Sequence, residues 1–317
     1  MLDIIVTHYN EEFRVGKKFF DMLGCQRGID FADIRVILVH DGSGKFPERY
    51  FRDYPYLVAQ HCIPHGGVSA ARNYGIDAAT AKWVQFCDFD DMYAGPYALV
   101  GILPHLKRDI DFVWTDFYVE HRKDGQLVLT TKGENLTFIH GKYYRREWLN
   151  ENGLRFPEDI RFSEDSAFGA VVNALLTDGR NGHIKTPSPP YVWCERPDSV
   201  SMDPANEERN LNGFIDRNFY VVEEFKRRGI PHRLMVGRMF ADAYFSFHRK
   251  DRQFPEWEKY FIGEARKYLP DLETLDANDM GPVMAVAEKF VNGTIDPEAE
   301  TFGQWITKMR LSSDRGA

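Results

Sequence analysis

The chain has 317 residues, enough for one large domain and a smaller one. With 43% hydrophobic and 28% charged residues it has the composition of an ordinary soluble globular protein. Its formal net charge of −8 argues against nucleic acid as the main partner, because a phosphate backbone demands a basic face. A nucleotide remains admissible, since a metal ion can supply the missing positive charge. Cys25, Cys62, Cys87 and Cys194 show no C-x-x-C spacing, which speaks against a zinc site and fits a reducing compartment. The opening MLDIIVTHYN carries Asp3 and no small-residue cleavage site, so it reads as a buried strand and not a signal peptide. No apolar run is long enough to span a bilayer, and a cytoplasmic protein is expected.

Leu2 to Val6 predicts the first buried strand, and Glu11 to Leu23 a helix with Phe13, Phe20 and Leu23 on its apolar side. A second strand over Ile34 to Val39 ends in Asp41-Gly42-Ser43-Gly44, which is turn chemistry. Leu57 to Cys62 predicts a third strand. Val68 to Ala79 predicts a helix opened by Gly66-Gly67, and Trp83 to Phe86 a strand that runs into Cys87-Asp88-Phe89-Asp90-Asp91. Strands alternating with helices at this spacing imply an α/β fold with a mostly parallel sheet, in which ligands bind beyond the carboxyl ends of the strands. Asp41, Asp88, Asp90 and Asp91 all fall at such ends. Phe112 to Glu120 and Gln126 to Thr131 flank Lys123-Asp124-Gly125, a hairpin signal. Ser163 is placed to cap a helix running through Leu175. From about residue 206 the pattern is helical. Leu211, Phe214, Ile215, Phe219, Val222 and Phe225 sit at helical spacing, Gly229 and Pro231 stop that run, and further helices are predicted near 234–248, 256–268, 282–291 and 301–310.

The residues suggest chemistry by themselves. Three closely spaced carboxylates after a buried strand repel one another unless a cation is shared, and Mg2+ or Mn2+ takes such oxygen ligands together with substrate phosphates. The competing reading is a solvated acidic turn. Asp41 could accept hydrogen bonds from a base or a ribose, or simply make an Asp-Gly turn. Arg72, in Gly66-Gly67-Val68-Ser69-Ala70-Ala71-Arg72-Asn73, could pair with a phosphate or lie solvated on its helix. Glu164 and Asp165 stand in a first helical turn, where acids are favoured on electrostatic grounds alone.

Taken in order, these segments resemble family 2 glycosyltransferases of the GT-A fold. The likeness is carried by IIVTHYNEE, VHDGSG, GGVSAARNYGI, FCDFDD, FIHGKYYRREWL, LRFPEDIRFSEDSAFG and YVWCERPDSVSM, and covers roughly the first two thirds of the chain. Two positions depart from the family pattern. His40 stands where an acid is usual, and the opening reads Thr7-His8-Tyr9-Asn10 where the family often has proline-threonine-tyrosine-asparagine.

The resemblance implies a Rossmann-like, mostly parallel central sheet with flanking helices, while the helical C-terminal region that follows rests on apolar spacing alone. It places the catalytic domain at 1–205, with a nucleotide-sugar half at about 1–95 and an acceptor half at about 96–205; residues 206–317, outside the likeness, are the helical region. It implies an inverting enzyme of the hexosyltransferase type that carries a sugar from a nucleotide-diphosphate sugar, a UDP-sugar favoured, to the hydroxyl of a glycan or other acceptor. A divalent metal, Mn2+ or Mg2+, is implied. Thr7 and Asp41 match nucleoside contacts, Arg72 a position near the donor, and Asp88 and Asp90 the ribose and metal side of the DxD element. Asp91 is the preferred direct metal ligand beside Asp90. Asp165 matches the catalytic base, and Arg196 and Ser199 lie on a segment expected to close over the diphosphate.

Two other classes are weighed against this. A haloacid dehalogenase-like phosphatase needs its nucleophilic Asp after the first strand, where this chain has Thr7-His8-Tyr9-Asn10. A non-catalytic sugar- or nucleotide-binding protein would have no need of Asp88, Asp90, Asp91 and Asp165. The C-terminal helices carry apolar faces that should pack on the catalytic domain or pair between subunits as a homo-oligomer. A weak membrane-surface contact through Trp305, Ile306 and Met309 is the alternative.

Overall fold

The computed structural model describes residues 2–123, 126–133, 138–177, 182–187, 189–196, 207–249, 254–290, 295–296 and 298–311. The chain forms two compact units, Met1–Met202 and Asp203–Ala317.

The N-terminal unit is a large mixed sheet with helices against it. Seven strands make the main sheet. They are β1 (Leu2–His8), β2 (Ile34–Asp41), β3 (Leu57–Ile63), β4 (Trp83–Asp88), β6 (Phe112–Thr115), β9 (Lys142–Arg145) and β10 (His183–Thr186), in the order β10-β6-β9-β4-β1-β2-β3. Pairings β1–β2, β1–β4, β2–β3 and β6–β10 are parallel, and only β9 runs antiparallel to its neighbours. β1, β2 and β4 read as near-continuous apolar runs because both their faces are covered. Helix α1 (Phe13–Gly24) buries Phe19, Phe20 and Leu23. On α2 (Val68–Ala78), Gly75 lets the helix press on β1, where a Cβ would come within 2.3 Å of Ile5. That close seat brings Arg72, one turn earlier, under the strand ends.

One reading of the middle region is corrected. The stretch Phe112 to Glu120 is not one strand. It breaks at Asp116 into β6 and β7 (Phe117–Lys123), because the Thr115 hydroxyl donates to the Asp116 and Gly141 carbonyls and turns the chain out of the first sheet. β7 joins a second sheet of order β5-β11-β7-β8, built with β5 (Met92–Tyr93), β8 (Gln126–Lys132) and β11 (Tyr191–Cys194). β7 and β8 form the expected hairpin, with Lys123 opposite Gln126. Its Asp124-Gly125 turn lies outside the described residues. The short strands β5, β9, β10 and β11 gave no periodic signal to read. Two further helices, α3 (Arg146–Glu151) and α4 (Glu164–Thr177), complete the unit.

The C-terminal unit is helical: α5 (Glu207–Arg228), α6 (Arg233–Phe247), α7 (Pro255–Ala265), α8 (Leu269–Glu273), α9 (Ala277–Phe290) and α10 (Phe302–Leu311). α5 ends at Gly229, with φ 67°. The Ile230 N–H bonds the Phe225 carbonyl and the Gly229 N–H that of Lys226, a glycine-capped stop. α9 begins before Pro282, where the sequence suggested a start. Asp276 caps it by accepting from the Asn278 and Asp279 N–H groups. α6 is buried along most of its length and packs on α5, α7, α8, α9 and α10. Trp305, Ile306 and Met309 of α10 lie in this core, so the apolar side chains suggested for a membrane contact are spent inside the unit. No described helix is long and apolar enough to cross a membrane.

Candidate active site

The parallel register places Thr7 beside Asp88 on one side and Val39 on the other, so the ends of β1, β2 and β4 form one ledge. Sequence dictates what happens next at each end. After β2, Gly42 takes φ 75°, and a Cβ there would meet His65 at 2.7 Å. The turn points the buried Asp41 carboxylate into the loop before α2. There it accepts from His65 Nδ1 at 2.8 Å and from the Gly66 and Gly67 N–H groups at 2.7 and 3.0 Å. Asp41 thus fixes the loop that opens α2. Tyr9 stacks on His65, with ring centroids 4.5 Å apart, and both are exposed.

After β4 the chain turns through an Asp91 N–H to Asp88 carbonyl bond. The three acids then go different ways. Asp88 meets the buried Arg72 at 3.0 Å. Asp90 pairs with Arg196 at 2.7 Å, and Arg196 lies 3.7 Å from Glu11. Asp91 is fully buried. Its carboxylate accepts from the Tyr191 hydroxyl at 2.5 Å and the Cys194 N–H at 2.8 Å. Burial and the neighbouring Asp88 charge push Asp90 up to about 6 and raise Asp91 well above the usual carboxylate range.

Arg72 is the hub. Its guanidinium binds Asp88 and, at 2.8 Å, Glu164 at the start of α4, and it lies over the Phe156 ring at 5.1 Å. The helix start itself is strained, since Ser163 has φ 63°, a left-handed conformation unusual for a residue with a Cβ. Next to Glu164 sits Asp165, half-buried, whose one hydrogen bond among the described residues is from the Ser166 N–H at 2.7 Å. Desolvation and the Glu164 charge lift Asp165 to about 7, while Arg72 acts in the opposite direction. Near it Lys142, 1% exposed, is brought down to about 7 by burial, against the pull of Asp165 and Asp116.

The structure therefore joins Thr7, Arg72, Asp88, Asp90, Asp91, Asp165 and Arg196 through one chain of contacts and strand neighbours. Asp41 reaches that chain through α2. Ser199 lies outside the described residues. For a metal, the grouping differs from the expected Asp90–Asp91 pair. Asp88, Asp91 and His140 each offer a ligand atom within 4.8 Å of the others, whereas Asp90 faces Arg196.

The description Glycosyl transferase family 2 matches residues 3–162 of the chain, half its length and all of the strands that form the ledge. The chain belongs to that family of glycosyltransferases. The uncharacterized glycosyltransferase EpsJ of Bacillus subtilis is 32% identical over 234 residues, a match that spans 64% of each protein. Among solved structures, S. aureus TarS 1–349 in complex with UDP-GlcNAc superposes with a TM-score of 0.62 at 16% identity, over 99% of this chain and 92% of that one. The mannosyltransferase PcManGT from Pyrobaculum calidifontis, with GDP-Man and Mn2+, gives 0.50 at 15% identity over 99% and 79%. These likenesses extend the shared fold beyond the family match.

Several members of the site carried no role in the sequence reading: His140, Lys142, Tyr191, Glu11 and the His8–His40 pair. The two histidines sit side by side at the ends of β1 and β2, with 2.9 Å between their Nδ1 atoms. They occupy the two positions where the chain departs from its family, and that departure was the available signal. His140 and Lys142 lay inside a quoted motif, but only the antiparallel pairing of β9 with β4 brings His140 to Asp88 and Lys142 towards Asp165.

Proposed function

We propose that this chain is an inverting, metal-dependent glycosyltransferase that moves a sugar from a nucleotide-diphosphate sugar, preferably a UDP-sugar, to an acceptor hydroxyl. The observation that carries the reading is the linkage Asp88–Arg72–Glu164 with Asp165 next in sequence, which ties a strand-end carboxylate to a candidate base. An alcohol is a poor nucleophile until its proton is taken, and a base whose pKa lies near neutrality is suited to take it. In this reading Asp165 removes the acceptor proton while the hydroxyl oxygen bonds to the anomeric carbon. The bond from that carbon to the diphosphate breaks with its electron pair on the leaving oxygen, and the configuration inverts.

Thr7 and the loop held by Asp41 bound the nucleoside, Asp88 faces the ribose, and Arg196 serves the diphosphate. Residues to about 95 thereby form the donor half, and 96–205 the acceptor half. The donor set of Asp88, Asp91 and the orphaned His140 nitrogen fits a divalent ion. Bound there, such an ion would supply Lewis-acid stabilisation of the leaving diphosphate. Support for the donor class comes from the UDP-GlcNAc and GDP-Man complexes of the two fold relatives.

The test is nucleotide release from a panel of UDP-, GDP- and dTDP-sugars, with Mn2+ or with excess chelator. The expected result is release from one UDP-sugar that stops in chelator. Undiminished release in chelator would overturn the metal dependence, and no release from any sugar nucleotide would overturn the activity.

A further inference from the structure

His140 is 5% exposed and stands two residues ahead of β9, the strand paired antiparallel with β4. Its ring stacks on Tyr191 with centroids 5.1 Å apart and meets Phe117 edge-on at 5.0 Å. Its Nδ1 is buried with no hydrogen-bond partner among the described residues. A buried polar atom left unmatched is penalised by its lost hydration, so such an atom in a native structure calls for a partner. One ligand atom of His140 falls within 4.8 Å of one from Asp88 and one from Asp91. Both acids are engaged, Asp88 by Arg72 and Asp91 by Tyr191 and the Cys194 N–H, yet each carboxylate oxygen keeps a second lone pair. Tyr191 orients two of the three groups at once, stacking on the imidazole and donating to Asp91. Metal sites use such outer partners to set their ligands.

We propose that His140 supplies a nitrogen ligand to the divalent ion shared by Asp88 and Asp91, and that this nitrogen biases the site toward Mn2+ or Co2+ over Mg2+. The inference rests on the metal-dependent reading above and adds the ligand and the selectivity. Mg2+ keeps to oxygen ligands, whereas Mn2+ and, more strongly, Co2+ also accept an imidazole nitrogen beside carboxylates.

The test is pulsed EPR on the full chain loaded with Mn2+ and inorganic pyrophosphate, a filler with no nitrogen of its own. The wild type is expected to show 14N coupling, and His140→Phe to lose it. Calorimetric titration should show the Mn2+ Kd of His140→Phe raised roughly tenfold or more, with the Mg2+ Kd little changed. Should that variant misfold, the wild-type spectrum decides alone. Bound Mn2+ without 14N coupling would overturn the role of His140 and leave the metal-dependent reading standing. Absence of Mn2+ binding, with sugar transfer persisting in chelator, would overturn both.

Discussion

The two ends of the main sheet both bury acids, and they treat them differently. At the amino ends of the strands, Asp3 is fully buried and fully matched. Its carboxylate accepts from Arg35 at 2.6 and 2.8 Å and from the Thr80 and Ala81 N–H groups at 2.7 and 2.9 Å. Towards the carboxyl ends, at the start of α4, Asp165 accepts among the described residues from one backbone N–H, with a like charge beside it and a pKa raised to about 7. A carboxylate with a full set of donors is held in place. One that is desolvated and under-matched can take up a proton near neutral pH. The donors around a carboxylate therefore distinguish an acid that fastens the fold from one available for chemistry, and each substitution below tests that division.

The largest effect is expected where the acid is fastened. Asp3→Ala strands the Thr80 and Ala81 N–H groups and releases Arg35, for a stability loss of about 3 kcal/mol or more. Chemical denaturation should show it as a lower midpoint, with turnover per folded molecule unchanged. A variant as stable as the parent would mean that the donors around Asp3 contribute nothing.

Next comes the under-matched acid. Asp165→Asn is expected to keep donor and metal binding and lose roughly 100-fold or more in turnover, the usual worth of a general base, without a fall in melting temperature. Turnover near that of the parent would require another base. The pH profile of the parent carries the same assignment. Turnover should rise about tenfold per pH unit up to about 7 and then level, since the base acts only when ionised. Stability moves the other way. With the folded pKa above the unfolded value, the native state binds more protons between about 4 and 7, so the contribution of this group declines as pH rises through that window. Asp165→Asn should remove both slopes, whereas Asp3→Ala should leave the rate profile as it is.

How much of this the sequence disclosed follows from the range of the interactions. β1, α1, β2, β3, α2 and β4 were legible because each element carries its own periodicity, and the acids at the strand ends because turn chemistry is local. Asp276 capping α9 is equally local, but Pro282 drew attention away from it. What stayed hidden depends on distant partners. Arg72 finds Glu164 across 92 residues and Asp91 finds Tyr191 across 100. Nothing in the neighbourhood of any of the four marks the pairing. His140 meets Asp88 only because β9 runs backwards into a parallel sheet, a topology that a four-residue strand cannot announce.

The smallest effect should come from the acid that stands between the two extremes, Glu164. Its Oε1 is bound by Arg72 at 2.8 Å, a partial match beside that of Asp3, and its charge bears directly on Asp165. Glu164→Gln keeps an oxygen for the Arg72 guanidinium and removes the charge. Packing should survive, and turnover at the plateau should fall by no more than a few-fold, because Asp165 still receives the proton. The informative change lies in the pH profile. The Glu164 charge raises Asp165, second only to desolvation among the causes, so its removal should move the acid limb to lower pH and make the variant relatively more active under mildly acidic conditions. The ratio of variant to parent turnover, measured across pH 5 to 8, reads this without depending on absolute activity. A ratio that rises as pH falls places Glu164 as the group that tunes the base. A flat ratio with a large loss at every pH would instead make Glu164 itself the base and Asp165 its neighbour.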